Sequence, residues 1–296
     1  LLLWLKADWG VETSGSNVTQ WTDMSGNGSN ASQSNPSDRP ALVADAINGL
    51  PAVNFNGTSH YLQMGPGFNN LGYAGIFIVT RPVISSGTHT FIDFGNGGAS
   101  NDIRLEGIAP TTTKINIYAS ISNSNVIWTS GLTSSQYQLL EAIYLGSGTA
   151  TLYRNGIQGA QGPVLSMIDI TRTLNFSGRH PGGGNFLTGR IAEILVYNGP
   201  FSASQRAAVE GYLIGRYQPL TLSTTPQPSI SVPGGSLSGP TQVAMAAKAG
   251  ATVYYTTDGS TPATGSPVYT GPINVYYSQT VKAIAVFNGV QSSIAT

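Results

Sequence analysis

The chain has 296 residues, 13 basic and 13 acidic side chains and no cysteine, so its formal net charge is zero. Charged residues make up 9% of it against a usual ~25%, while 40% are hydrophobic, so solubility rests on Ser, Thr, Asn, Gln and Gly. That balance argues against phosphate-driven nucleic-acid binding, which needs clustered Lys or Arg, and the lack of cysteine excludes disulfides, thiolate metal sites and thiol nucleophiles. The apolar opening at residues 1–5 stops at Lys6 and Asp8, far short of the ~20 residues of a membrane span and too short for a signal-peptide core. The chain starts without a methionine and inside a strand-like run, as expected of a mature form or an excised fragment.

In chain order, short β-branched and aromatic runs recur between Gly, Asn, Ser and Pro clusters, at 52–55, 75–79, 91–94, 114–121, 125–128, 138–145, 150–154 and 190–197. This pattern predicts an all-β sandwich. Ser202 and Gln205 form a capping-box pair, and Val209, Tyr212, Leu213 and Tyr217 come after it at helical spacing, which predicts one helix over 203–216 closing the first domain. Composition then changes: residues 1–218 hold all four Trp, all three His and twelve of the acids, and residues 219–296 hold one acid, Asp258, with Lys248 and Lys282. We therefore expect a first domain at 1–218, an extended Thr, Ser and Pro linker at 219–227, and a small antiparallel sandwich at 228–296 with turns at Asp258-Gly259 and Thr270-Gly271-Pro272. Tyr254–Tyr255 and Tyr276–Tyr277 come as adjacent pairs, so regular strands would turn one of each pair outward.

Three blocks carry a resemblance. Leu3-Trp4-Leu5-Lys6-Ala7-Asp8, Trp21-Thr22-Asp23-Met24-Ser25-Gly26-Asn27-Gly28 and Asn48-Gly49-Leu50-Pro51-Ala52-Val53-Asn54-Phe55-Asn56-Gly57 occur in that order, with Phe176-Ser177-Gly178-Arg179 and Gly189-Arg190-Ile191-Ala192-Glu193-Ile194-Leu195-Val196-Tyr197 closing the series. Together they resemble the bacterial laminin-G-like group of concanavalin A-like jelly rolls. Val253-Tyr254-Tyr255-Thr256-Thr257-Asp258-Gly259-Ser260-Thr261-Pro262, with Tyr269-Thr270-Gly271-Pro272-Ile273, is similar to the chitobiase and β-hexosaminidase C-terminal domain, an immunoglobulin-like sandwich. The first resemblance implies a jelly roll of the kind found in lectins, adhesion modules and enzyme accessory domains. The second implies a non-catalytic spacer of exported bacterial proteins, hence a secreted or cell-surface location.

Chemistry has to be sought in the first domain. Glycosidases need two carboxyl groups facing one bond, and acids at alternating positions of one strand would supply them. Glu106, Glu141 and Glu193 each stand alone in their strands, a departure from the concanavalin A-like glucanases. A lyase would need a base and a cation, for which His89, His180, Arg104, Arg179 and several tyrosines are loose parts, and a lyase or glycosidase on the concave face would draw on Arg104, Glu106, Tyr118, Glu141 or His180. Arg179 and His180 open a glycine-rich loop that either reaches a ligand or merely joins two strands. Calcium is the metal the composition suits, and Asp23 with Asn27 offers oxygen donors at a turn, as laminin-G-like relatives often do at a sandwich rim; the competing reading is an Asx turn in which Asp23 caps backbone N–H groups. Sugar binding needs aromatic platforms edged by planar polar groups. Trp4 and Trp21 lie inside the family-like blocks and are expected in the core; Trp9 and Trp128 are candidate stacking platforms or core covers.

These observations lead to an expected non-catalytic carbohydrate-binding or adhesion module pair, with a polysaccharide or glycan as partner and a flanking catalytic domain in a larger protein. Trp9, Trp128, Arg104, Tyr118, Arg179 and His180 are its candidate ligand residues. A polysaccharide lyase or glycoside hydrolase acting from the concave face, and a purely structural spacer or adhesin, are the alternatives.

Overall fold

The computed structural model describes the chain apart from residues 66, 70, 96–101, 120–121, 146–147, 166–173, 180–183, 218–219, 221–226, 233, 236–238, 248–249 and 288–289; side chains at 116–119, 122–123, 174–176, 287 and 290 are also not described. Two compact units result, 1–222 and 223–296.

The first unit contains β1 (Leu3–Lys6), β2 (Val11–Ser14), β3 (Asn17–Trp21), β4 (Ala31–Ser32), β5 (Ala41–Ile47), β6 (Leu50–Asn56), β7 (Leu62–Met64), β8 (Ala74–Pro82) and β9 (Thr88–Gly95). It continues with β10 (Ile103–Ile108), β11 (Thr112–Ala119), β12 (Ser122–Trp128), β13 (Gln138–Leu145), β14 (Thr149–Arg154), β15 (Ile157–Pro163), β16 (Leu174–Ser177), β17 (Thr188–Tyr197) and the helix α1 (Ala203–Arg216). All these strand pairings are antiparallel and, apart from the single pair Asn17–Ala41 that links β3 to β5, sort into two layers. A front sheet runs β2-β3-β4-β7-β16-β9-β10-β11-β12. A back sheet runs β5-β6-β17-β8-β13-β14-β15, with β1 on the same side of β17 as β6.

Alternation along the strands builds the core. Leu3, Leu5, Val53, Phe55, Ile76, Ile78, Leu140, Ala142 and Ile194 from the back sheet meet Trp21, Leu62, Met64, Ile92, Phe94, Ile103, Leu105 and Ile115 from the front sheet, all buried. At roughly 25 cal/mol per Å² of apolar area this interior dominates the unit's stability. The outer face of the back sheet is also apolar: Phe77, Val79, Leu139, Ile143, Ala192 and Leu195 form a second cluster with Leu213 and Tyr217 of α1. The helix forms as the sequence predicts, because the Ser202 Oγ accepts from the Gln205 N–H while the Gln205 side chain accepts from the Ser202 N–H. It covers the back sheet and leaves the front sheet as the face with polar outward positions.

The second unit is a small β module with β18 (Ser229–Ile230), β19 (Thr241–Val243), β20 (Met245–Ala246), β21 (Thr252–Thr256), β22 (Ile273–Val275), β23 (Lys282–Phe287) and β24 (Val290–Gln291). Its core is slight: Met245, Val253, Ala283 and Ala285, flanked by half-buried residues including Tyr255, Tyr269 and Ile273. The expected alternation holds in β21, where Tyr255 packs on the core beside Val253 and Tyr254 does not. It fails for Tyr276 and Tyr277, which are both exposed because β22 ends at Val275 and the pair falls beyond it.

Candidate functional site

Cross-strand register builds the site on the outer face of the front sheet. Glu12 pairs with Gln20, Gln20 with Ser32, Ser32 with Gln63, Gln63 with Phe176, Phe176 with Asp93, Asp93 with Arg104, Arg104 with Asn116, and Asn116 with Asn125. Residues directly opposite one another share a face, so, leaving aside Phe176 and Asn116, whose side chains are not described, Glu12, Gln20, Ser32, Gln63, Asp93, Arg104 and Asn125 share one face of the sheet, and all are polar. The residues flanking this row along the strands, such as Ala31, Leu62, Met64, Ile92, Phe94, Ile103, Leu105 and Ile115, point into the core. The row is therefore the outward half of an ordinary alternating sheet, rich in amides.

An ion network sits at the row's centre. Arg104 Nε lies 3.2 Å from Asp102 Oδ2 and its Nη1 lies 3.4 Å from Glu106 Oε1, while Lys114 Nζ lies 3.1 Å from Glu106 Oε2. A Cβ placed on Gly95 would be 2.8 Å from Asp102 Cβ and 3.1 Å from Asp93 Oδ1, so both aspartates crowd that glycine. Asp93, Asp102, Arg104 and Glu106 are all buried. The sequence shows no acids alternating along one strand, and the structure corrects what that implies: three carboxylates meet on one face, contributed by β9, by β10 and by the residue preceding β10. Asp102 and Glu106 are engaged with two cations, and the group is closed off, with Asp93 2% exposed and Glu106 1% exposed. Glycoside hydrolysis needs carboxyl groups that reach a bound glycosidic oxygen or its attacking water, and this arrangement instead stiffens the middle of the sheet. Arg104 is thus a strut of the network.

At the β7–β16 side, Arg179 comes just after β16 and is clasped by two rings. Its guanidinium carbon lies 4.7 Å from the Tyr61 ring centroid and 5.3 Å from that of Phe186, and the two rings are 6.4 Å apart. Such cation–π stacking fixes a planar donor group beside the row. Neither Tyr61 nor Phe186 carries a local sequence signal, since each meets Arg179 only through the fold.

The other sequence candidates separate. Trp9 sits in the turn after β1, its N–H donating to the Lys6 carbonyl, with an indole 61% exposed. Trp128 is half-buried at the end of β12, where its indole lies on the backbone of Gly159; a Cβ there would be 1.9 Å from the ring. Arg154 stacks 5.4 Å from the same ring, so Trp128 plugs the seam between β12 and β15. Tyr118 belongs to β11 with its side chain outside the described residues, and His180 lies outside the described residues altogether. Asp23 is buried and accepts four bonds: Oδ1 from the Trp4 and Ser25 N–H groups at 3.0 and 2.9 Å, Oδ2 from Ser25 Oγ and the Ser29 N–H at 2.8 and 3.0 Å. Asn27 turns its Nδ2 toward the Leu1 and Leu2 carbonyls and Ser25 Oγ. An amide donor beside a saturated carboxylate does not fit calcium, which needs six to eight oxygen ligands; the turn is a capping hub.

Glu141 and Glu193 lie on the opposite side of the sandwich, beneath α1, and cannot join the front-sheet acids. Glu193 accepts from Trp4 Nε1 at 2.6 Å, Tyr212 OH at 2.9 Å and Tyr217 OH at 2.6 Å, with Arg216 Nε 3.5 Å away. Burial raises its pKa above the usual carboxylate range, opposed by those bonds. Glu141 accepts from the Gly156 N–H at 3.2 Å and lies 3.5 Å from Arg206, which also pairs with Glu210. Burial, then the charge of Glu210, pushes Glu141 well above the usual range. These acids clamp the helix.

No curated protein matches the chain. Among solved structures, it is similar to domain 4 of AbnA, an extracellular GH43 arabinanase from Geobacillus stearothermophilus in complex with arabinotriose, at 18% identity and a TM-score of 0.53, covering 71% of this chain and 98% of that one. It is also similar to the ligand-binding domain of botulinum neurotoxin serotype D in complex with N-acetylneuraminic acid, at 9% identity and a TM-score of 0.53, covering 98% of this chain and 71% of that one. At such identities the likeness is one of fold. Residues 68–205 match the concanavalin A-like lectin/glucanases superfamily, and residues 232–296 match the chitobiase/beta-hexosaminidase C-terminal domain. The chain thus joins a jelly-roll domain of the concanavalin A-like superfamily to a chitobiase/beta-hexosaminidase C-terminal domain, in the order its sequence motifs indicate.

Proposed function

We propose that the first unit is a non-catalytic carbohydrate-binding module that holds a polysaccharide across the front sheet. The observation that carries this reading is the row of Gln20, Ser32, Gln63 and Asn125 flanking a rigid ionic centre, with Arg179 fixed between Tyr61 and Phe186 at one side. Planar amides and hydroxyls at strand spacing suit the hydroxyl pattern of a sugar chain, and stacked rings suit its C–H faces. Two solved domains of similar fold hold glycans, arabinotriose in one and N-acetylneuraminic acid in the other, which supports the reading. The central charges are buried and tied to one another, which leaves little charge on the face and favours neutral glycans over acidic ones. Trp9, with its exposed indole, stays in the proposal as an accessory platform; Trp128 does not. The protein acts outside a bacterial cell, as an accessory part of a larger polysaccharide-active or surface protein, with the second unit as its support.

Affinity electrophoresis and calorimetry of the full chain against arabinan, galactan, xylan, β-glucan, mannan and polygalacturonate test this reading. Gln63→Ala and Arg179→Ala should each weaken binding about fivefold to tenfold, the loss of one or two hydrogen bonds, without shifting the melting temperature by more than about 2 °C. Absence of binding to all six, or release of reducing ends or unsaturated uronates from any of them, would overturn it. Chelation of calcium should leave affinity unchanged.

A further inference from the structure

The second unit leaves Tyr276 62% and Tyr277 82% exposed, side by side. This is costly for a module whose buried apolar residues, among those described, are Val243, Met245, Val253, Ile284 and three alanines. Phenol rings are efficient core filler, and a chain short of apolar material that holds two of them in solvent is using them otherwise. They do not stand on a flat surface. Pairing of Thr241 with Val275 brings Gly239 and Pro240 beside the residues after β22, and together with Tyr276, Tyr277, Ser278 and Gln279 they line a groove of about 390 Å³. Ser278 and Gln279 also line a second opening of about 320 Å³ that extends the groove to Thr257 and Asp258.

The far end is rigid. Asp258 pairs with Thr280 in an isolated bridge, the Gly259 N–H donates to the Thr280 carbonyl at 3.0 Å, and Lys282 Nζ donates to the Gly259 carbonyl at 2.6 Å. Asp258 Oδ1 accepts from the Ser260 N–H at 3.0 Å and from Ser260 Oγ at 2.5 Å. The turn that closes the groove is therefore held in place before any ligand arrives, which reduces the ordering cost of binding.

We propose that this groove is a second carbohydrate-binding site, in which a neutral sugar unit stacks on Tyr276 or Tyr277 and presents its hydroxyls to Gln279, Ser278 and Asp258. Each opening falls within the ~300–1,000 Å³ of small-ligand sites, and the lining, two phenol rings among mostly polar groups, suits a hydroxyl-rich ligand. A protein partner would need about 800 Å² on each side, more than two rings offering at most ~150–250 Å² apiece can provide. Asp258, the one carboxylate lining the groove, accepts hydroxyls and disfavours anionic sugars. The second unit thereby becomes a binding partner of the first on a long polymer, and two weak sites on one chain would give avidity.

Tyrosine nitration with tetranitromethane, mapped by mass spectrometry on the full chain, reads this site directly. Cello-, xylo-, manno-, arabino- and chito-hexaose serve as probes, and Tyr73, 37% exposed in the first unit, is the internal reference. At least one saturating probe should slow nitration of Tyr276 and Tyr277 by about tenfold while Tyr73 reacts as before, and that protection should persist in Gln63→Ala and Arg179→Ala. Tyr277→Ala and Gln279→Ala, both at exposed positions, should each lower affinity for that probe about tenfold, equal to ~1.4 kcal/mol. Unchanged nitration with all five probes overturns the proposal. So does protection that grows with protein concentration in the absence of sugar, which would mark self-association. Because Gln63→Ala and Tyr277→Ala act on different units, failure of the first-unit reading would leave this result standing, and the reverse.

Discussion

Glu193 is the best place to test how the helix is held. Its carboxylate accepts the indole N–H of Trp4 and the hydroxyls of Tyr212 and Tyr217, and Arg216 flanks it. Glu193→Ala removes the shared acceptor of three donors. Tyr217 is 1% exposed and its hydroxyl would keep only a long 3.5 Å contact to the Ala192 carbonyl, close to a stranded donor, while Trp4 and Tyr212 can turn in part to water. One fully stranded donor costs ~1–3 kcal/mol; adding the lost ion pair and the lost packing gives about 4 kcal/mol, in line with breaking a buried pair. For a unit of this size that lowers the melting temperature by ~8–16 °C. Glu193→Gln keeps one acceptor and the volume, so it should cost less than half as much. The pH dependence has a definite sign. Burial holds the folded-state pKa of Glu193 above its unfolded value, so the folded state keeps its proton longer, and stability falls as pH rises from the ordinary carboxylate range through the raised value. Glu193→Gln should lose that part of the slope. Calorimetry of the full chain, tracking the transition of the first unit, measures all three quantities. A fall below about 4 °C for Glu193→Ala, roughly 1 kcal/mol, would refute the view that this acid pins α1.

Two further perturbations come from neighbouring geometry. Glu141, raised by burial and by Glu210, contributes a loss of stability as pH increases above the ordinary carboxylate range, so Glu141→Gln should narrow the difference in urea midpoint between about pH 5 and about pH 8. Gly159→Ala would put a methyl carbon 1.9 Å from the Trp128 ring, expelling the indole; about 3 kcal/mol of lost stability and a red-shifted tryptophan emission are expected, and an unshifted spectrum would show that the ring is not seated there.

Local signals made much of the fold legible. The helix at 203–216 is written in Ser202 and Gln205, three residues apart, and in the spacing of Leu213 and Tyr217, all within one short segment. Strands are marked by β-branched runs. Facing is not, because it depends on partners far apart in the chain and on bulges. Asp93 and Arg104 meet only through the β9–β10 register, and the irregularity between Leu105 and Glu106 decides how Glu106 aligns with Thr90. A second irregularity, between Ile191 and Glu193, turns Ala192 and Glu193 toward the helix side. Trp128 carries no local mark of burial, since its seat is the missing side chain of Gly159 on another strand. The exposure of both Tyr276 and Tyr277 likewise depends on where β22 stops, which alternation alone cannot fix.

The low charge also takes on a different meaning once positions are known. Seven of the thirteen acids are buried among the described residues: Asp23, Asp93, Asp102, Glu106, Glu141, Glu193 and Glu210. Arg104, Lys114, Arg206 and Arg216 are drawn to them as partners. Much of the little charge this chain has goes into internal ties, so its surface is more neutral in effect than its composition, and long-range attraction has little to act through. Glycan binding should then be carried by hydrogen bonds and stacking, which salt scarcely screens. Raising the ionic strength from ~0.01 M to ~1 M shortens the screening length from ~30 Å to ~3 Å; across that range the affinity for a neutral polysaccharide should change by less than about twofold, read by affinity electrophoresis in gels of stepped salt. A tenfold weakening would mean that Arg179 meets a charged group on the ligand, and the neutral-glycan reading would have to be given up.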